Sequence, residues 1–499
     1  MAPGLIAEQV AVAGESAMPR RPRISKAAAR TSGLDELDLE ETTHADLLQS
    51  HPPALTTAAD DQVHDMVCIG FGPAGVGIAV ALSDMHETEE TITSVPKVRF
   101  LERQDAFFWH AGMLLPGAKM QISFIKDLAT LRDPCSYFTF LNYLKENDRL
   151  VQFTNLSTFL PSRVEFEDYM RWVANHFTDV VDYSQAVERI RPIKTTSGHL
   201  YDCLEVQTRN TLTRQLTTRI SKNVVIAVGG KANKPPMFQT PHSHVLHTSE
   251  YQVRIGHALP DANKAYSIAV VGSGQSAAEV FNDLHIRYPN ATTKLIMRDT
   301  AMRPSDDSPF VNEIFNPEAV DSFYEQPDGI RSETLKRNKA TNYSVVRLEL
   351  LEHIYESLYM QCIHEPDKSK WQHQILNSRE IVDVVNDPKT NKLSLVVSRL
   401  NGSGWNNKDT IEFDAVILAT GYKRDAHIDM LHECQSINGS TDGNWVPSRD
   451  YSLKLDRSQV QSDVGIWLQG CNESSHGLAD SLLSIVATRS GELVQSMFA

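Results

Sequence analysis

The chain has 499 residues, 41% hydrophobic and 22% charged, which suits a folded protein of two or three domains and excludes a disordered one. A formal net charge of -15 argues against a nucleic-acid surface, which needs clustered Lys and Arg. No apolar run reaches the ~18 to 20 residues of a membrane span, so the expectation is a cytoplasmic protein acting on a small molecule, with no nucleic-acid or membrane partner.

Residues 1–61 are rich in Ala, Ser and Pro, with a basic stretch at Arg20 to Arg30 and an acidic one at Asp35 to Glu41, and read as a mobile tail. They lack the apolar core of a secretory signal. Their Ala, Arg and Ser content weakly resembles a mitochondrial transit peptide, against which Glu8 and Glu15 count.

Order is expected from Met66. Met66 to Ile69 reads as a strand, Gly70-Phe71-Gly72-Pro73-Ala74-Gly75 as a glycine turn, and Val76 to Leu82 as a small-residue helix, together the opening of a Rossmann-type unit. Gly70 permits the tight turn, Gly72 lets a pyrophosphate approach the backbone, and Gly75 lets helix pack on strand. The next strand, Lys97 to Leu101, ends at Glu102, whose carboxylate can accept from both hydroxyls of an unphosphorylated ribose.

A second opening follows at Ile268 to Val271, with the turn Gly272-Ser273-Gly274-Gln275-Ser276-Ala277. Its second strand, Thr293 to Met297, ends at Arg298 where an NAD site carries an acid; a guanidinium there can pair with a 2′-phosphate, so NADPH is expected rather than NADH. A solvated strand-end arginine is the plainer alternative. Asp414 to Leu418 reads as a strand running into Ala419-Thr420-Gly421-Tyr422, and Val464 to Gln469 as another. Leu478 to Met497 has a helical period opening just after Gly477, and a helix N-terminus there would favour negative charge on a ligand. The six cysteines, Cys68, Cys135, Cys203, Cys362, Cys434 and Cys471, form no C-x-x-C pair; they are expected reduced and buried, with no metal site.

The two glycine turns and the D-x3-L-A-T-G-Y segment from Asp414 resemble the N-hydroxylating branch of the class B flavin monooxygenases, in which the first site holds FAD and the second NADPH. More specific are W-H-x-G-M-L-L-P-G from Trp109, M-Q-I-S-F-I-K-D-L from Met120, R-D-P from Arg132 and F-T-F-L-N-Y-L from Phe138. With Asn312-Glu313-Ile314-Phe315, Thr341-Asn342-Tyr343 and His476 to Ser484, these closely resemble fungal L-ornithine N5-monooxygenases of siderophore biosynthesis, over roughly residues 62–499.

That resemblance implies an α/β fold of two Rossmann-like dinucleotide-binding domains, for FAD (62–232 and 407–499) and NADPH (233–306 and 356–406), plus a small, mainly helical substrate-binding insertion (307–355). It implies an FAD site of Gly70, Gly72, Pro73, Ala74, Gly75, Glu102, Arg103, Trp109, His110, Gln121, Val187, Thr420, Gly421, Ser481, Leu482 and Leu483, with Gln121 near the reacting edge of the flavin. The implied NADPH site is Gly272, Ser273, Gly274, Gln275, Ser276, Arg298, Asn342, Tyr343 and Ser344. Substrate contacts fall to Lys126, on the amino-acid carboxylate, and to Asn312, Glu313, Ile314, Phe315, Asn342 and Ser484. Spacing alone leaves plainer readings open: Lys126 a surface lysine, Asn312 and Asn342 caps or turn residues, Ser484 a packed small residue, Gln121 a structural amide.

The implied reaction is N5-hydroxylation of L-ornithine by NADPH and O2 through a C4a-hydroperoxyflavin, the first step of hydroxamate siderophore biosynthesis, with no side chain assigned as acid or base and a homo-oligomer, a tetramer, as the assembly. An L-lysine N6-hydroxylase shares every cofactor motif, and one methylene discriminates by only about 1 to 3 kcal/mol. A flavin disulfide reductase would need a redox cysteine pair that the sequence lacks. A non-catalytic nucleotide-binding regulator is the remaining alternative.

Overall fold

The computed structural model describes residues 55–60, 62–88, 95–400 and 408–498. Most of the proposed tail lies outside these. Its last stretch is packed: Ala58 is buried, and Val98 N donates to Thr56 O at 2.8 Å beside the second strand.

Strand Val63–Ile69 buries Met66, Val67, Cys68 and Ile69 on both faces, as a central parallel strand must. It pairs with Val98–Leu101 on one side and Leu216–Ile226 on the other, both parallel. Val181–Asp182 extends one edge, and the antiparallel strands Cys203–Asn210 and Gln185–Ile193 extend the other. Gly465–Leu468, arriving from far along the chain, adds parallel to the end of Leu216–Ile226. Helix Pro73–Thr88 packs on helix Val486–Phe498 at Gly77, where a Cβ would sit 2.8 Å from the Ser490 hydroxyl oxygen.

A second sheet holds five parallel strands in the order His373–Leu376, Thr292–Ile296, Ser267–Val271, Ala415–Leu418, Val245–His247. The strand before A-T-G-Y thus stands inside this sheet, fourth of its five strands, and not in the first half, where the boundary at 407 puts it. Ala415–Leu418 is buried throughout and apolar enough for either sheet; its partners, Ser267–Val271 and Val245–His247, decide. An antiparallel ribbon of Arg379–Asp387, Lys392–Arg399 and Lys408–Phe413 packs beside it.

The chain crosses between the sheets twice, and the crossings pair antiparallel at Lys231–Ala232 and Tyr422–Lys423. Residues 307–355 are mainly helical, with Pro309–Asn312, Ala319–Tyr324, Asp328–Asn342 and the start of Leu348–His364.

The long helix expected from Leu478 is a correction. Gly477 sits at φ 86°, two 3-10 turns, Leu478–Ser481 and Leu483–Ile485, flank the extended Leu482, and the α-helix begins only at Val486. The cysteines also differ from expectation: Cys68, Cys203 and Cys434 are buried, Cys471 half-buried, and Cys135 and Cys362 exposed, all as free thiols.

Candidate active site

The first glycine turn fits a dinucleotide. A Cβ at Gly70, where φ is 98°, would meet Ala227 O at 2.6 Å, and one at Gly75 would meet Gly70 O at 2.3 Å, while Gly72 faces open space. Two glycines therefore lock turn and helix together, and the third leaves backbone open to a ligand at a helix N-terminus. Glu102 is buried at the strand end. Its Oε2 accepts from Phe71 N at 2.8 Å and its Oε1 from Gln104 N at 2.9 Å, which fixes the carboxylate against the turn. Arg103 beside it is exposed.

The second turn lies under the end of the insertion. A Cβ on Gly274 would come 3.4 Å from Ser344 Cα, and one on Gly272 would meet Ala419 O at 2.5 Å. The Ser344 backbone is left-handed at φ 59°. Gly272, Ser273, Gly274 and Gln275 are thereby brought together with Asn342, Tyr343 and Ser344. Arg298 is 78% exposed and, among the described residues, makes a long 3.9 Å contact with Glu380. The strand-end group that reaches the turn is Asp299, which the sequence reading passed over; its Oδ2 accepts from Ser273 Oγ at 3.0 Å. Because Asp299 follows Arg298 directly, the signal was present one residue on.

Between the turns lies the segment from Trp109. His110 adopts the left-handed region at φ 48°, with its ring edge-on to Trp109 at 5.0 Å and to Tyr422 at 6.1 Å. The residue keeps solvent contact, yet its ring is closely surrounded by protein. Desolvation, aided by Arg163 and Arg424, pushes its pKa down to about 4, so it is neutral at pH 7. Arg424, also unforeseen, stands three residues past Gly421 and reaches the Tyr343 hydroxyl at 3.5 Å. Tyr343 in turn donates to Glu473 Oε2 at 2.7 Å.

Thr420 and Gly421 are tied into the crossings: Thr420 Oγ1 donates to Asn233 O at 2.6 Å, and Gly421 O accepts from Asn233 N at 3.0 Å and lies 3.0 Å from His247 Nε2. Val187 packs half-buried in the meander and Gln121 is exposed.

Lys126 is half-buried, and desolvation lowers its pKa. Glu318 of the insertion opposes this through space, but among the described residues no carboxylate lies within ion-pair distance. Phe315 packs on Val320, Ala479 and Ile485, which brings the Asn312 to Phe315 segment onto Leu478 to Ile485. That segment is anchored by a buried pair: Arg489 Nη1 lies 3.5 Å from Asp480 Oδ1, and Asn472 N donates to Asp480 Oδ2 at 2.6 Å.

Ser484 is buried, and its hydroxyl has no hydrogen-bond partner among the described residues. Leu482 and Leu483 are half-buried beside it, as is Ser481. Asn312 and Asn342 each end a helix, and Asn312 Nδ2 donates to Asp307 O at 3.0 Å, a turn role that coexists with the expected one. Glu313 is exposed and Ile314 half-buried.

Residues 62–424 match the model of the L-lysine 6-monooxygenase/L-ornithine 5-monooxygenase family. The chain is 50% identical over 477 residues to the L-ornithine N(5)-monooxygenase of Emericella nidulans, covering 93% of this chain and 95% of that protein. Among solved structures, the ornithine hydroxylase PvdA of Pseudomonas aeruginosa superposes with a TM-score of 0.79 at 35% identity, over 88% of this chain and 99% of its own. KtzI, the ornithine N-hydroxylase of Kutzneria sp. 744, described with reduced FAD, NADP+ and L-ornithine, gives 0.78 at 33% identity, over 87% and 99%.

Proposed function

We infer the reaction from the premise that the chain belongs to the L-lysine 6-monooxygenase/L-ornithine 5-monooxygenase family. It is an FAD- and NADPH-dependent monooxygenase that hydroxylates N5 of L-ornithine, the activity of hydroxamate siderophore biosynthesis. The flavin, once reduced by NADPH, supplies the activation of O2 and the transfer of one oxygen atom to the amine.

The chain binds, orients and shields. Gly72 and the N-terminus of Pro73–Thr88 would hold the FAD pyrophosphate, and Glu102 the adenosine ribose, its carboxylate keeping free lone pairs beyond the two backbone N–H groups it accepts. Gly274 and Asn342 to Ser344 would cradle NADPH, with Arg298 reaching the 2′-phosphate. Lys126 would receive the α-carboxylate of ornithine, and a lysine held without a carboxylate partner is the observation that carries this reading. The reacting amine must be neutral, against an ordinary pKa of about 10.4. Half-buried Ile314 and Phe315 offer it an apolar wall that favours that form. Phe315, Ala479 and Ile485 close the substrate side against water.

The test is hydroxylamine formation by the FAD-loaded protein with NADPH, comparing L-ornithine with L-lysine while oxygen uptake and peroxide are recorded. Hydroxylated ornithine with little peroxide is expected. Lysine product would move the protein to the N6 branch, and NADPH oxidation yielding peroxide with both would sink the substrate reading. The proposed assembly is a homotetramer, which light scattering on the holoenzyme reads directly.

A further inference from the structure

We propose that Glu279, gripped by Arg163, is a positioning residue that sets the nicotinamide-nucleotide turn against the loop bearing Trp109 and His110. Glu279 lies one helical turn into Gln275–Arg287, directly after the second glycine turn. Arg163 opens helix Arg163–Asn175 in the first half of the molecule, behind the Ser162 cap. The two side chains meet bidentately, with Arg163 Nη1 at 2.9 Å from Glu279 Oε2 and Nη2 at 2.8 Å from Oε1. They are only 12% and 9% exposed.

Each partner holds something further. Arg163 Nη1 also donates to Met113 O at 2.7 Å, and Met113 N donates to His110 O at 2.7 Å, which closes the turn that keeps His110 left-handed. Glu279 Oε1 accepts from Gln275 Nε2 at 2.9 Å, and Gln275 Oε1 accepts from Arg347 N at 2.9 Å, at the end of the insertion. One unbroken hydrogen-bonded chain thus runs from the insertion, past the glycine turn, across the two halves and into the His110 loop. A second contact holds the same seam: a Cβ on Gly112 would meet Ser249 O of the other half at 2.3 Å.

A fork-to-fork guanidinium–carboxylate pair fixes angle as well as distance, and near-attack geometry is lost over fractions of an ångström. Neither residue belongs to a glycine turn or to the substrate contacts, so the pair acts through Gln275 on one side and Met113 on the other. Glu279→Gln keeps the shape but turns one acceptor oxygen into a donor facing a cation. Arg163→Lys keeps the charge and loses the fork.

The inference rests on the proposed placement of NADPH at the second turn, so the experiment separates the two. Anaerobic stopped-flow reduction of the holoenzyme by saturating NADPH is compared with reduction by dithionite, together with NADP+ affinity by calorimetry and the ratio of peroxide to hydroxylated product. For both variants, reduction by NADPH should slow about tenfold or more and the peroxide share should rise. Flavin content and dithionite reduction should hold, and NADP+ affinity should change less than about threefold. The double variant should be no slower than the worse single, because both break one link. If Glu279→Gln does not fold, Arg163→Lys alone carries the test. Reduction by NADPH within twofold of the parent, or single effects that multiply in the double variant, would overturn the proposal. Failure of the parent protein to bind NADP+ would instead remove the site on which it rests.

Discussion

The first glycine turn is closed by a buried carboxylate bonded to two backbone N–H groups, whereas the second is closed by a serine hydroxyl on the half-buried Asp299, with Arg298 beside it exposed to solvent. Both grow from the same strand, turn and helix. They differ in how much of the site exists before a ligand arrives. A preformed acid at Glu102 suits a cofactor that stays, because little remains to be ordered on binding. An exposed Arg298 suits one that enters and leaves, because its charge must be gathered each time. The proposed FAD and NADPH sites thus share one template and differ in the burial of the strand-end side chain.

Substitutions can break or sharpen that contrast. The largest effect is expected at Gly75→Ala, where the new methyl would stand 2.3 Å from Gly70 O. Roughly 3 kcal/mol of overpacking should leave the purified protein with less than about a tenth of its flavin, read from the visible absorbance, and full flavin content would mean the helix can shift. Glu102→Gln should weaken FAD binding to the apoprotein by about 10- to 100-fold, the range of a charge-assisted hydrogen bond, as titrated by fluorescence. Arg298→Ala should raise KM for NADPH about fivefold and leave kcat and the NADH reaction alone, since an exposed ion pair contributes about 1 kcal/mol or less; an equal effect on both nucleotides would dismiss Arg298 as the 2′-phosphate ligand.

A further effect concerns acid. In the second half His285 and His373 stack at 3.5 Å, with Thr293 Oγ1 2.9 Å from His373 Nδ1; burial pushes their pKa values down to about 3 and about 4. The unfolded chain protonates near pH 6.5 while the folded pair resists, so this stabilisation is complete above 6.5 and is lost as pH falls toward 4. The loss should be at most about 1.4 kcal/mol per pH unit for each histidine, and His285→Phe should flatten the slope of Tm against pH. An unchanged slope would place the acid sensitivity elsewhere.

Features written in neighbouring residues were legible in the sequence. Both glycine turns and their strands follow from local period and turn chemistry, whereas the helical character of the insertion came from the family resemblance alone. What escaped depends on contacts distant in the chain. Ala415–Leu418 is apolar on both faces and gives no hint of which sheet receives it. Arg163 and Glu279 are 116 residues apart, and each alone reads as a solvated helix charge. The segment after Gly477 has a helical period, but Gly477 at φ 86° and extended Leu482 break it, because the buried Asp480–Arg489 pair and the packing on Phe315 hold the segment in turns. Asp299 was passed over beside Arg298 because a strand-end rule cannot tell which of two consecutive side chains faces the turn.

The double crossing at Lys231–Ala232 and Tyr422–Lys423 also bears on how the chain is made. The first sheet receives Gly465–Leu468 only after more than two hundred intervening residues have been synthesised, and the helix that covers Pro73–Thr88 comes later still. While a ribosome is still working through the second half, the flank of Leu216–Ile226 that will receive the late strand stays bare, and the Gly77 face of helix Pro73–Thr88 has no cover. The second half, whose strands all lie between Val245 and Leu418, can assemble first. The part that begins nearest the N-terminus is therefore expected to finish last, and flavin supplied during translation should be captured only near the end.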